Sequence, residues 1–305
     1  DFDVSRVNAE ANIITQNSAL EDVRTTTDSE GAIVLVTGGD LTLNAGSDSS
    51  EALVADGSGN VRLDVTGALT LNAELDAGSG HLSLLAMGTL TQAASGDVTT
   101  SGTGTLDVQA NAIAMAGEAT TSAGSGNVRY VATETLALGA LSTGGSVSLM
   151  AGSISDANGA AVNVTADELR LVTTGNGADE GAGTGADALE TKVNRLAADV
   201  AGASGLYLVE TDSLILGSLD AINVHQVAAD GVTLTQTTDV ALSEVSSAGA
   251  LVLITGEGSL TTEAEGGVVS AAGNLLMKVG GAESDLVLNA AVSSTGGHIS
   301  LDAGQ

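Results

Sequence analysis

The side chains able to do chemistry are unevenly supplied in this chain. Its 305 residues carry 38 Asp and Glu against 8 Lys and Arg, with three histidines and no cysteine. Hard cations such as calcium take several oxygens gathered by a bent loop. One stretch offers them: in and just after the glycine-rich run 175–185, Asp179, Glu180, Asp187 and Glu190 are the candidate calcium ligands. The nonapeptide calcium repeat and the EF-hand spacing are both absent, and the competing reading of these acids is a solvated loop. His81, His225 and His298 lie far apart; His81 and His298 each follow a glycine turn and read as exposed turn histidines. Glycoside cleavage needs carboxylates of split pKa, or bound calcium with a basic side chain. Here the bases are few and scattered, and acids are so abundant that a pair carries no information. Gly-rich stretches such as 181–185 lack the following Lys of a phosphate loop. No catalytic and no cofactor-binding residue is nominated.

The composition limits what could position such groups. Gly numbers 41, Pro is absent, and the aromatics are Phe2, Tyr130 and Tyr207. A ligand pocket is usually lined by large rings, whereas Leu, Val, Ile and Ala suit a narrow interior of uniform width. A formal charge of -30 repels nucleic acid and anionic lipid and attracts divalent cations. No apolar run approaches the ~18 residues of a membrane helix, so neither nucleic acid nor membrane insertion is expected. Met87, Met115, Met150 and Met277 read as fillers of the core or its seams.

A short strand is written again and again. Val61, Leu63 and Val65 point one way, and Arg62 and Asp64 the other, the period of two that marks a strand. After Gly67 the alternation resumes with Leu69, Leu71 and Ala73. Aligned on their first inward residue, the runs start at Ile13, Ile33, Val61, Leu82, Leu106, Val128, Val147, Leu169, Leu206, Val232, Leu251, Leu275 and Ile299. The mean step is about 24 residues, within the range of stacked-strand repeats. One such step cannot bury its inner face alone, but stacked copies enclose a continuous core. The expected fold is all-β: a right-handed parallel β-helix of about 12 coils, a single continuous solenoid over 1–305. Its core includes Val61, Leu63, Leu69, Leu71, Leu82, Leu84, Leu106, Val128, Val147 and Leu149. An antiparallel sandwich would want Asn-Gly or Asp-Gly turns throughout, and Asp230-Gly231 is a rare instance. The missing proline agrees, because strands paired on both sides need every N–H.

The long step from Leu169 to Leu206 predicts an insertion over 175–204. An acidic glycine-rich loop comes first. Leu189, Val193, Leu196, Ala197 and Val200 then recur at helical spacing, Asp187 and Glu190 read as a capping box, and Gly202 as a stop. The spacing predicts a short amphipathic helix near 187–201.

The stretch DALETKVNRLAADVAGASGLYLVETDSLILG, residues 187–217, resembles a module of giant bacterial β-solenoid surface proteins, the filamentous-haemagglutinin-like and related adhesins. The matching residues are Leu189, Thr191, Val193, Leu196, Ala197, Ala198, Gly205, Tyr207, Glu210, Leu214 and Gly217, about a tenth of the chain with what lies between. The resemblance implies a secreted, non-enzymatic protein of the bacterial cell surface or matrix, with no catalytic residues to carry over. Both ends of the sequence read as open strand, which predicts a segment of a longer solenoid or copies stacked end to end. The expected function is an extracellular structural or adhesive rod whose partners are itself, cell-surface glycans or proteins, and divalent cations. The alternatives are a passive matrix or sheath filament and a carbohydrate-active β-helix enzyme.

Overall fold

Each coil begins where small apolar residues alternate with polar ones. In Val61–Val65 the odd positions are buried and Arg62 and Asp64 face outward. The computed structural model describes residues 19–21, 23–25, 31–46 and 50–303. All their regular structure is strand. The rung expected at Ile13 lies outside the described residues. The chain forms two compact units: the first runs to Thr133 and adds Gly139–Gly145 and Asn223–Thr238, and the second holds Glu134–Leu138, Ser146–Ile222 and Asp239–Gln305.

In the first unit a coil has three short strands, stacked in parallel on the coil before. The first face pairs Ile33, Val61, Leu82, Leu106 and Val128 in register. The second pairs Leu41, Leu69, Leu90 and Ile113. The third pairs Val23, Leu53, Leu75, Val98, Thr121 and Leu141. This is a parallel β-solenoid. The expected core residues of this unit, Val61 through Val128, are all fully buried. Burying one such Leu or Val is worth about 1.5–3 kcal/mol. Tyr130 departs from the aliphatic interior, as Gln92 and Thr121 do: it is wholly buried, and its hydroxyl meets Thr121 Oγ1 at 2.7 Å. Burial pushes its phenol up.

Glycine sets how closely the coils approach. Gly59, Gly80, Gly104 and Gly126 precede the first-face strands, and a Cβ on any of them would collide with backbone of the glycine one coil below. The repeat is therefore written in glycines as well as in leucines.

The second unit begins in the same manner. Val147 pairs with Leu169, and Val147 and Leu149 are fully buried. Leu169 then pairs with Leu196, not with Leu206. The expected helix near 187–201 is instead the strand Leu189–Val200. Its inward residues are Leu189, Thr191 and Val193, then Leu196, Ala198 and Val200, with a one-residue slip at the corner between them. That slip spaces 189, 193, 196 and 200 like a helix face, although on either side of it the residues alternate as in a strand. The same slip occurs in the neighbouring strand Val164–Thr173, and at the corner Asn194 Nδ2 donates to Asp167 Oδ1 at 2.8 Å. Asp187 and Glu190 therefore cap nothing, and Gly202 stops no helix.

The insertion lies elsewhere. Leu196 pairs with Leu216, and Ala198 pairs with Val245. One residue separates the first two positions of the lower strand, and residues 217–244 separate the upper two. Leu219 and Leu242 close the neck of this excursion as an antiparallel bridge. Val232, expected to start a rung, is 62% exposed within it. Beyond it the stack resumes, with Leu206, Leu251, Leu275 and Ile299 in register.

Candidate functional site

The tip of the excursion, residues 223–238, folds against the outer face of the first unit. Its strands Ile222–Val227 and Leu234–Asp239 form a hairpin. Asp230-Gly231 closes it: Gly231 takes a positive φ of 73°. The Asp230 carboxylate accepts the N–H groups of Val232 and Thr233 at 3.0 and 2.8 Å. The Thr233 hydroxyl and these amides hold that carboxyl below its ordinary range.

The first hairpin strand runs across the rungs rather than along them. Asn127 Nδ2 donates to the Asn223 carbonyl at 3.0 Å, the His225 N–H to Thr105 Oγ1 at 2.9 Å, and the Val227 N–H to Ser83 Oγ at 2.9 Å. Arg62 then donates to the Val227 carbonyl and Asn60 Nδ2 to the Gly231 carbonyl. The hairpin thus steps down four successive coils, and side chains rather than a neighbouring strand satisfy its edge.

Beneath it an outward row becomes interior. Val34, Arg62, Ser83, Asp107 and Arg129 occupy matching positions on successive coils, and all but the half-buried Arg62 are buried. Arg129 Nη1 donates to Asp107 Oδ1 at 2.9 Å. Asp107 Oδ2 accepts from Gln109 Nε2 at 2.8 Å and from Gln226 Nε2 at 3.3 Å. Beside this row the His81 and His225 rings lie 4.5 Å apart. His81 Nδ1 accepts the Thr105 N–H at 3.1 Å, so the ring is neutral with its proton on Nε2. Burial, then the neighbouring His225, lowers the His81 pKa. His81 is therefore not the exposed turn histidine expected from sequence; His298 is exposed.

Next to the hairpin runs a groove of about 450 Å³. Asp64, Leu85, Gln109 and Val131, one from each of four coils, form its floor, Gln226 its wall and Met87 its rim. Met87, expected as a filler of the core or its seams, is 74% exposed; Met115 and Met277 are buried. The carboxylates nearest the groove are both engaged by guanidinium groups, Asp64 by Arg62 and Asp107 by Arg129.

The four expected calcium ligands do not gather. Asp179 is exposed, and Glu180 accepts the Gly177 N–H. Asp187, just before the strand Leu189–Val200, and Glu190, within it, both lie close enough to Asp156 to feel its charge. Among the described residues no group of three or more His, Cys, Asp or Glu is set to hold a metal ion. The buried Asn163 organises this corner, giving Nδ2 to Asp156 Oδ1 at 2.7 Å and accepting the Glu190 N–H at 2.9 Å. Burial, with Asp156 nearby, pushes the Glu190 carboxyl up to about 7. The Asp156 charge raises the exposed Asp187. Elsewhere in the second unit the buried Glu210 accepts Thr191 Oγ1 at 2.7 Å and the Thr211 N–H at 2.9 Å.

Sequence reasoning missed the hairpin and the row it covers. The signals were present: INVHQV and LTQTTD alternate on either side of Asp230-Gly231, a hairpin pattern. Arg62, Ser83, Asp107 and Arg129 share one coil position. Comparison with protein families, with curated proteins and with solved structures gave no match.

Proposed function

We propose that this chain is a non-enzymatic structural or adhesive β-solenoid of the bacterial cell surface or extracellular matrix, in which the outer faces make the contacts. The contrast between interior and exterior carries this reading. The first unit's interior is closed by stacked Leu and Val, while its outer face bears a folded-down hairpin and an open groove. The charge of -30 keeps such a surface hydrated and gives it affinity for cationic groups. The resemblance of residues 187–217 to surface adhesins agrees with it. The test is saturable binding of the labelled full chain to cells and to matrix polymers. Self-assembly without any such binding would favour the passive filament.

The groove supports one second reading, a carbohydrate-active enzyme. Incubating the full chain with a panel of polysaccharides, with and without calcium, separates the two. No new reducing ends or unsaturated products are expected; turnover would overturn the non-enzymatic reading.

A further inference from the structure

The groove beside the hairpin has a chemical polarity set by a residue that does not line it. Asp107 is fully buried, and an ionised carboxylate can only accept hydrogen bonds. Its Oδ1 takes Arg129, and its Oδ2 takes the amide nitrogens of both Gln109 and Gln226. Neither glutamine can therefore flip its amide. Each Oε1 is left as an acceptor without a partner among the described residues, on a side chain that lines the groove. Asp64 adds a carboxylate whose side chain is 41% exposed and whose Oδ1 makes no bond. Among the described residues no Lys or Arg lines the groove. Leu85, Val131 and Met87 supply apolar surface between these acceptors.

We propose that this groove binds an extended basic polypeptide segment by its lysine side chains. The assignment names a partner class for the contact surface proposed above and rests on that reading. A lysine ammonium is three donors on an alkyl stem. The stem packs on Leu85, Val131 and Met87 while the head reaches Asp64 and the two amide oxygens. Asn111 and Thr133 are the neutral donors in a lining that otherwise offers a carboxylate and two fixed amide oxygens, and with no cationic side chain among its described residues it disfavours phosphate, sulfate and acidic sugars, a preference that the charge of -30 reinforces. Length distinguishes a peptide from a free amine. The floor crosses four rungs, hence three spacings or roughly 14 Å, the reach of about four extended residues. Alternate side chains of an extended segment would point down into it.

The test uses the full chain and a fluorescein-labelled hexapeptide alternating lysine and alanine, read by anisotropy at about 0.15 M salt. Saturable binding is expected, weakened roughly tenfold or more by D64N and by Leu85→Lys, which places a cation in the groove. Glu118→Gln, an exposed acid away from the groove lining, should change it less than about twofold. Unchanged thermal unfolding of each variant establishes that the fold is intact. Equal losses in all three variants, equal binding of a glutamate–alanine peptide, or binding of spermine but not of the peptide would overturn the assignment. Cell binding is measured in parallel. If Leu85→Lys leaves both peptide and cell binding intact, the groove assignment fails and the contact-surface reading survives. If the wild type binds neither cells nor matrix, the broader reading fails.

Discussion

Asp107 and Arg129 are register partners on adjacent coils, and they pair at 2.9 Å beneath a hairpin whose residues lie about a hundred positions further along the chain. On an uncovered solenoid face both would be solvated. The hairpin turns a surface ladder into a buried ion pair, which makes it costly to break by halves.

Arg129→Ala should therefore destabilise the first unit by about 3–5 kcal/mol, because Asp107 stays buried and charged without its partner. Replacing both residues, Asp107→Leu with Arg129→Met, should recover much of that loss. Urea midpoints of the two variants provide the check, and equal losses would show that the pair is not isolated from solvent.

Glu190 gives a pH-dependent prediction of definite sign. Its folded pKa, about 7, exceeds the reference 4.5, so the folded state holds the proton more tightly. Its contribution to stability is complete below about pH 4.5 and is lost as the pH rises through 7. Glu190→Gln imitates the protonated form. It should raise the melting temperature at pH 8 and leave it unchanged at pH 4, and the reverse pattern would contradict the burial of this carboxyl.

His81 works in the other direction. Its folded pKa lies below the reference 6.5, so the released state binds more protons. The contact with His225 is at full strength above pH 6.5 and weakens as the pH falls through the lower folded value. Amide exchange at His225 and Val227, whose N–H groups meet Thr105 and Ser83, should gain beyond intrinsic rates at pH 5. His81→Gln should flatten that dependence.

The glycine ladder predicts a contrast between two alanine substitutions. Gly126→Ala sets a methyl against the Gly104 carbonyl, a backbone group with nowhere to go, and should cost about 1–3 kcal/mol or more. Gly38 has open space around its would-be Cβ and no positive φ, so Gly38→Ala should be neutral or stabilise by up to about 1 kcal/mol. Thermal melts of the two proteins decide it.

Much of the fold was legible because strand alternation is local. Val61, Leu63 and Val65 announce an inner face without reference to any other residue, and the recurring glycines mark where coils meet. The reading failed where a local pattern has two causes. Leu189, Val193, Leu196 and Val200 fit a helix face, and they equally fit a strand that slips by one residue at a corner. Only pairing with Val164–Thr173 separates these cases. The expected calcium set rested on a glycine-rich loop, and among the described residues no group of three or more His, Cys, Asp or Glu is set to hold a metal ion.

The candidate site was legible only in its parts. Asp230-Gly231 stood out as a tight-turn dipeptide, and Arg62 as an outward residue. What joined them was contact across the chain: Asn127 meets Asn223 over 96 residues, and Asn60 meets Gly231 over 171. The sequence by itself determined that successive coils share an aliphatic interior, because the period of two needs no distant partner. The tertiary structure alone decided which outer row is covered and where a groove remains, because that depends on where an excursion comes to rest, and its resting place is chosen by hydrogen-bond partners on four coils at once.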